Sequence, residues 1–191
     1  MLNMKNFKSI ALALVAFVSF ATTAQTSKKV DASKSTINWV GKKVTGAHEG
    51  TISLKEGALI FKGKKLVGGN FTVDMTTINT TDLSGKGKTN LDGHLKSDDF
   101  FSVEKFPTAT LVIKSLGEKG NGVYAVTADL TIKGKTESIK FDLTVAENTA
   151  STTLKVDRTK YDIKYGSGSF FSDLGDKTIN DEFELTVKLA F

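Results

Sequence analysis

The chain has 191 residues and a formal net charge of +5, with no cysteine and a single proline. Without cysteine, neither disulfide bonds nor thiolate chemistry can contribute, so an apolar core must stabilise the fold. Lysines interspersed with Asp and Glu, beside a single arginine (Arg158), predict a solvated surface rather than a nucleic-acid interface.

The first 24 residues have the pattern of a secretory signal peptide. Lys5 and Lys8 precede an apolar segment at 10–20, and the small residues at 22–24 would form the cleavage site. The apolar segment is too short to cross a bilayer as a helix. We therefore predict a signal peptide at 1–24, one mature domain at 25–191, and a periplasmic or secreted protein.

Period-two alternation of apolar and polar residues dominates the mature chain and predicts strands with one apolar and one wet face. Turn residues between the runs favour antiparallel hairpins. Such a sheet can bury its apolar face as a two-sheet sandwich or as a closed barrel, and barrels of about eight strands can hold one small ligand. The predicted strands are 36–44, 49–55, 58–62, 66–78, 108–116, 122–133, 137–146, 150–157 and 182–191.

One stretch departs from this alternation. Leu91, His94 and Leu95 fall at i, i+3 and i+4, which predicts a short helix at about 89–98. A further turn of helix is expected within 168–175. Because apolar phenylalanines follow the first helix directly, we expect this segment to lie across the opening of the strands.

No constellation of residues indicates catalysis or a metal site. Residues 84–89 resemble the end of a phosphate-binding loop but lack its first glycine, and we interpret them as a solvated loop. His94 and His48 are far apart in the sequence, and no third ligand is evident near either; His48 is expected at a surface turn or rim. The adjacent carboxylates Asp98 and Asp99 would point apart on an extended chain. We therefore expect a binding protein rather than an enzyme, with no metal and no cofactor.

Six further segments form recognisable motifs, and they are His94–Phe101, Lys105–Ala109, Ala128–Thr136, Ile139–Val145, Asp157–Tyr161 and Gly175–Ile179. Together they resemble the YceI-like family, and the resemblance covers about residues 29–191. One departure stands near the start, where many members carry an Asp-x-x-His-Ser sequence and this chain has Lys34 at the histidine position.

The resemblance implies an all-β fold, a single antiparallel lipocalin-like barrel of about eight strands with one short helix near its opening. It also implies an exported protein whose apolar cavity binds a polyisoprenoid or similar long-chain amphiphile. No catalytic activity is established for the family as a whole.

We therefore interpret the chain as a lipid-binding protein for storage or transport, with a lipid as its only ligand. The alternative is a filled barrel that acts as a stress-response or protein-interaction module. No nucleic-acid partner is expected, a transient membrane contact is compatible with a carrier, and monomer and homodimer both remain open. The predicted cavity wall comprises Trp39, Phe71, Val73, Met75, Ile113, Val126, Phe141 and Ile163; the predicted gate comprises Phe100, Phe101 and Phe106. His94 and Arg158 are candidates for a polar headgroup. His94 could instead be a packed helix histidine facing the barrel mouth, and Arg158 could instead pair with a buried carboxylate.

Overall fold

The computed structural model describes residues 24–191, so the predicted signal peptide, apart from its last residue, lies outside the described part of the chain. The described residues form nine strands, one α-helix and three 3-10 helices. The strands are β1 (Gln25–Lys29), β2 (Thr36–Lys43), β3 (Gly46–Lys62), β4 (Lys65–Thr80), β5 (Thr108–Gly120), β6 (Val123–Ile132), β7 (Lys135–Val145), β8 (Thr149–Asp157) and β9 (Ile179–Ala190). The α-helix α1 spans Gly85–Lys96, and the 3-10 helices span Ala32–Lys34, Arg158–Tyr161 and Gly175–Lys177.

Strands β2 to β9 close into an eight-stranded antiparallel barrel. Each strand from β3 to β8 pairs with its successor in the chain. β2 completes the ring by pairing with β3 on one edge and with β9 on the other. β1 lies outside the ring, alongside the C-terminal part of β3. This arrangement confirms the predicted barrel with one helix, and closure pairs the edges that a sandwich would leave open.

β3 is one continuous strand where the sequence predicted two. The polar triplet at 55–57 does not form a turn, because the register between β3 and β4 shifts between Leu54 and Glu56 and absorbs the extra residue as a bulge. Gly57 allows the Phe71 ring to lie against the strand, since a Cβ at this position would be 2.5 Å from the ring atom Cδ1. The polar strand β1 was not predicted, as its sequence has no apolar alternation.

Helix α1 spans Gly85–Lys96, whereas the sequence predicted 89–98. It therefore begins four residues and ends two residues before the predicted positions. The segment interpreted as a solvated loop forms its first turns. Its contacts with β4 explain the difference: Lys88 Nζ donates to Asn79 Oδ1 at 2.7 Å and to Asp92 Oδ2 at 2.6 Å. Asp92 Oδ1 also accepts the backbone N–H of Thr80 at 2.8 Å. Tertiary contacts thus stabilise a glycine-rich helix of low intrinsic propensity.

The predicted turn of helix at 168–175 is displaced toward the C-terminus. A 3-10 helix forms at Gly175–Lys177, and another, not predicted, follows β8 at Arg158–Tyr161.

One end of the barrel is packed solid. Leu66 and Val126 are almost completely buried there, and the Leu66 N–H donates to the Tyr124 hydroxyl at 3.3 Å. Lys28 Nζ lies 5.3 Å from the centre of the Phe61 ring and 5.0 Å from that of Phe191, so its charge covers the apolar end. Buried apolar side chains therefore form the core at this end.

The barrel wall is irregular between β7 and β8. In the described chain these strands pair only at Thr144–Ser151 and Val145–Ala150. The 3-10 helix after β8 packs against β7, and its Tyr161 is 1% exposed. Burial raises the pKa of Tyr161 to about 12, with further contributions from the charges of Glu137 and Asp157.

Candidate ligand cavity

A deep cavity of about 440 Å³ occupies the part of the barrel that is not packed solid. It begins at α1 and the β2–β3 turn and extends toward the packed end, and all eight barrel strands contribute to its wall. Its wall is largely aliphatic and aromatic. The volume lies in the range of roughly 300–1,000 Å³ that is usual for small-molecule sites.

Ten of the thirteen predicted residues line this cavity, and three do not. The residues that line it are Trp39, Phe71, Val73, Met75, His94, Phe100, Phe101, Ile113, Phe141 and Arg158. The three outside its wall are Phe106, Val126 and Ile163.

Three predicted residues lie outside the cavity wall, although the alternation of apolar and polar residues gave no sign of this. Phe106 packs over the β6–β7 turn, where a Cβ on Gly134 would be 3.0 Å from its ring, and so is not part of a gate. Val126 shares the inward face of β6 with Leu130 but lies in the packed end. Ile163 is completely buried beyond the 3-10 helix that follows β8. Periodicity identifies the face of a strand but not the depth along the barrel.

Sequence reasoning also missed part of the wall. Leu130 and Ile132 on β6, and Phe183, Leu185 and Val187 on β9, line the cavity. All five belong to the inward faces of alternating runs, so the signal was present. Nothing in the pattern, however, separated them from residues that pack the closed end.

The mouth of the cavity carries most of its polar side chains. Lys42 and Lys43 from β2, His48 from β3 and Glu182 from β9 line it there, beside His94 from α1. His48 was expected at a surface turn or rim; it lies within β3, and its Nδ1 is 2.8 Å from Asp82 Oδ2.

His94 lines the cavity and has one hydrogen-bonding atom that the described residues leave unused. Its ring packs edge-on against Tyr165, with centroids 4.5 Å apart, and against Phe100 at 5.6 Å. Its Nε2 atom is buried and has no hydrogen-bond partner among the described residues. Because an imidazole nitrogen donates or accepts according to its tautomer, Nε2 can bond either an oxygen or a hydroxyl of a ligand.

Arg158 is committed to the protein backbone. Its Nη1 donates to the Ile163 carbonyl at 2.8 Å, its Nη2 to the Ile179 carbonyl at 3.0 Å and its Nε to the Asn180 carbonyl at 3.0 Å. Nη2 also lies 3.6 Å from Asp181 Oδ1. These contacts favour the structural role, in which Arg158 ties the segment after β8 to the start of β9.

Burial and charge act in opposite directions on this ion pair. Burial lowers the pKa of Arg158, while the charges of Asp181 and Asp157 oppose that shift. For Asp181, burial favours the neutral acid, but hydrogen bonds from Ser167 and Ser169 and the Arg158 charge outweigh it, so its pKa lies below the usual value. The Arg158 charge therefore favours the ionised form of Asp181, and the two carboxylates offset part of the cost of burying the guanidinium.

The helix at the mouth is anchored by carboxylates. Burial tends to raise the pKa of Asp92, but hydrogen bonds from Lys88 and Thr80 outweigh it and hold this pKa below the usual value. The pKa of Asp82 is lowered in the same way, against burial, by its bonds to His48 and to the Glu49 N–H. These bonds fix the helix and the segment before it against β3 and β4.

Two further observations apply to residues 24–191. No group of three or more His, Cys, Asp or Glu side chains there could hold a metal ion. No helix in this range combines the length and apolar character needed to span a membrane.

Curated relatives match parts of the chain. A UPF0312 protein of Shewanella denitrificans is 36% identical over 84 residues, which is 44% of this chain and 42% of that protein. A UPF0312 protein of Staphylococcus aureus strain USA300 is 46% identical over 52 residues, which is 27% of this chain and 28% of that protein. The matched segments therefore span less than half the length of either relative.

Solved structures match most of the chain. BcnA of Burkholderia cenocepacia superimposes with a TM-score of 0.64 at 25% identity, covering 85% of this chain and 99% of that one. A polyisoprenoid-binding domain from Saccharophagus degradans, implicated in plant cell wall breakdown, gives 0.59 at 16% identity, covering 84% and 95%. The YceI protein of Campylobacter jejuni gives 0.54 at 16% identity, covering 98% of each chain. At 16% identity the last two show the fold alone.

The family model of the YceI-like domain matches residues 29–191, which include every strand of the barrel. The chain therefore belongs to the YceI-like family.

Proposed function

We propose that this protein is an exported carrier that holds a polyisoprenoid, or a similar long-chain amphiphile, in its barrel cavity for storage or transport. The observation that carries the proposal is the cavity itself, about 440 Å³ deep inside the barrel, with an apolar wall and its charged and imidazole groups near the mouth. The proposed function is binding and release, without a covalent step.

Burial of the hydrocarbon tail supplies the affinity. Each methylene removed from water contributes about 0.8 kcal/mol, so an isoprene unit contributes roughly 4 kcal/mol before the entropy of immobilisation is subtracted. A few buried units therefore suffice for tight retention, and the tail needs no specific polar contact along the wall.

The polar end of the ligand is assigned to the mouth, beside His94. The two aromatic contacts of its ring restrict the side chain, and Nε2 is the buried atom that gains most from a ligand hydrogen bond. Arg158 is not assigned to this role, since its donors already serve backbone carbonyls.

Export is part of the proposal and rests on the signal-like pattern of residues 1–24. Cell fractionation followed by N-terminal sequencing tests it. We expect the protein outside the cytoplasm with Gln25 as its first residue; a cytoplasmic protein that retains Met1 would contradict it.

Ligand content of the purified protein tests the binding function. Native mass spectrometry and organic extraction are expected to show a discrete long-chain adduct in the wild type. Phe71→Asp, which places a carboxylate on the cavity wall, should abolish the adduct, whereas Thr72→Asp on the opposite face of β4 should retain it.

Two outcomes would contradict this assignment. Equal lipid content in both variants would show that the tail does not contact the inner face of β4. A wild-type protein with a clean apo mass that takes up no added farnesol or geranylgeraniol would instead support the filled-barrel alternative.

A further inference from the structure

Exposed apolar side chains are concentrated around the mouth of the cavity. Val44, Tyr165, Phe170 and Phe171 are exposed by 64%, 49%, 50% and 51% and are here called the apolar rim. Only two other large apolar side chains of the described residues are exposed, and both lie elsewhere on the barrel. Burial in the fold therefore does not account for the four rim residues.

The rim is continuous with the cavity. Tyr165 and Ile179 line the cavity wall, and the Ile179 N–H donates to the Gly166 carbonyl at 2.8 Å. The N–H groups of Phe170 and Phe171 both donate to the Ser167 carbonyl, at 3.2 and 3.0 Å, and Ser167 forms an isolated bridge with Ile179. The two phenylalanines are thereby fixed in a turn next to the start of β9.

The β2–β3 turn completes the same surface. The Val44 N–H donates to the Thr178 carbonyl at 3.1 Å, and Lys43 pairs with Ile179 across the β2–β9 register. Val44 therefore stands on the same edge of the mouth as the loop at 162–178, and the adjacent Lys43 also lines the cavity.

Lysine side chains lie next to the apolar rim, an arrangement that is common on protein surfaces that bind the headgroup region of a bilayer. Lys164 Nζ lies 4.9 Å from the centre of the Phe170 ring, and Lys42 and Lys43 are exposed beside Val44. Long lysine stems can follow an apolar surface while the charge reaches phosphate groups. Because Asp162 lies 3.0 Å from Lys164, part of this charge is compensated, and apolar insertion should dominate over attraction to anionic lipid.

We propose that the apolar rim docks the cavity mouth onto a lipid bilayer, with Phe170 and Phe171 inserted at its surface, so that the cargo passes between bilayer and cavity without crossing water. The proposal rests on the proposed function, since a hydrocarbon cargo is what makes an apolar path useful. A bilayer accepts a long tail, whereas a second copy of the chain on the rim would only place two cavity mouths face to face.

Vesicle flotation with phosphatidylcholine liposomes containing phosphatidylglycerol tests the docking. We expect the wild type to float with the vesicles and Phe170→Ser/Phe171→Ser to reduce the bound fraction by roughly tenfold or more. A Val44→Ser variant should show a smaller loss in the same direction. The matched control is Val67→Ser/Val112→Ser, which removes two exposed apolar groups away from the rim and should float as the wild type does. Any contribution of residues 1–24 is common to all these proteins.

Equilibrium binding of geranylgeraniol in detergent separates this proposal from the proposed function. The rim variants should bind it as the wild type does, because Phe170 and Phe171 do not line the cavity. A wild type that binds geranylgeraniol but not vesicles, or rim variants that float normally, would overturn docking and leave the carrier function intact. A wild-type dimer that the rim variants convert to monomer would also overturn it, as the rim would then be a protein interface. Vesicle binding without geranylgeraniol uptake would refute the carrier function instead.

Discussion

Val73 offers the sharpest test of where the ligand tail lies. Its side chain lines the cavity and packs against two clusters of buried residues, one that contains Leu66 at the packed end and one that contains Phe100 near the mouth. Val73 therefore stands between the mouth and the packed end. A Val73→Trp substitution should place an indole across the middle of the cavity and shorten the space available to a tail. The mouth, including His94, would be unchanged.

The expected loss follows from the length of tail excluded. If the indole displaces one isoprene unit, about 4 kcal/mol of burial is lost, which weakens binding by roughly a thousandfold. The protein itself should lose less, because the indole enters a cavity of about 440 Å³ instead of a close-packed core. Overpacking in a filled core would cost about 1–3 kcal/mol of folding free energy.

Isothermal titration with farnesol and geranylgeraniol measures this effect, with thermal unfolding as a check on the fold. We expect Val73→Trp to lose most affinity for the longer alcohol and less for the shorter one. Thr72→Trp, which adds the same group to the outer face of β4, should bind both as the wild type does. Unchanged affinity of a folded Val73→Trp protein for geranylgeraniol would refute a tail buried in this cavity.

Four further changes test individual contacts. His94→Phe retains the aromatic packing but removes Nε2, so we expect roughly five- to tenfold weaker binding of geranylgeraniol by titration and no change for the hydrocarbon squalene. Arg158→Lys leaves backbone carbonyls without their donors and should lower the free energy of unfolding in urea by about 2–4 kcal/mol. Gly50→Ala should lower the free energy of unfolding by at least about 1–3 kcal/mol in the same assay, because the new Cβ would lie 2.1 Å from the Asn79 carbonyl oxygen of β4. Gly41→Ala is the control, since a Cβ there meets nothing within 4 Å and should leave the stability unchanged. The pKa of Asp92 is lowered in the folded protein, so its contribution to stability is present above the unfolded value of about 3.9 and is lost as the pH falls through the lower folded pKa. The urea concentration at the unfolding midpoint of the wild type should therefore decrease as the pH is lowered below about 4. Asp92→Asn should show a smaller decrease.

Each of these expectations has an outcome that would contradict it. Equal weakening for squalene and geranylgeraniol would show that His94 acts by packing and not by a hydrogen bond. A stable Arg158→Lys protein would mean that the backbone carbonyls find other donors, and Lys160→Ala, at an exposed position of the same 3-10 helix, supplies the neutral reference. Identical acid profiles for the wild type and Asp92→Asn would remove Asp92 from the acid response.

The strands could be predicted because alternation and turn residues are local signals, and the inward faces of β6, β7 and β9 follow directly from their sequences. Alternation suits a two-sheet sandwich as well as a closed barrel, and only the family resemblance implied the barrel. The bulge that joins 49–55 to 58–62 could not be predicted, since Glu56 and Gly57 suit a turn as well as a bulge. The choice is made by pairing with the distant strand β4.

The candidate site was less predictable, because its residues are distinguished by tertiary depth. Phe106 and Phe100 stand six residues apart in one aromatic segment, yet Phe100 lines the cavity and Phe106 packs over the β6–β7 turn. His48 lies at the mouth because β3 begins at Gly46, three residues before the predicted start. The exposed Phe170 and Phe171 carry no local signal that separates a rim from a core, and only the closed barrel shows on which side of the fold they lie.

The packed end of the barrel contributes mainly to stability, and the half that contains the cavity contributes mainly to binding. At the packed end, Leu59, Leu66 and Val126 are each no more than 2% exposed, and none of them lines the cavity. Close packing there can stabilise the barrel whether or not a ligand is present, which leaves the other half free to keep a cavity that a fully packed core would not retain. It follows that substitutions on the wall, such as Val73→Trp, should alter affinity more than folding, while a large-to-small change such as Leu66→Ala should lower stability by about 2–5 kcal/mol with little change in the intrinsic affinity of the folded protein.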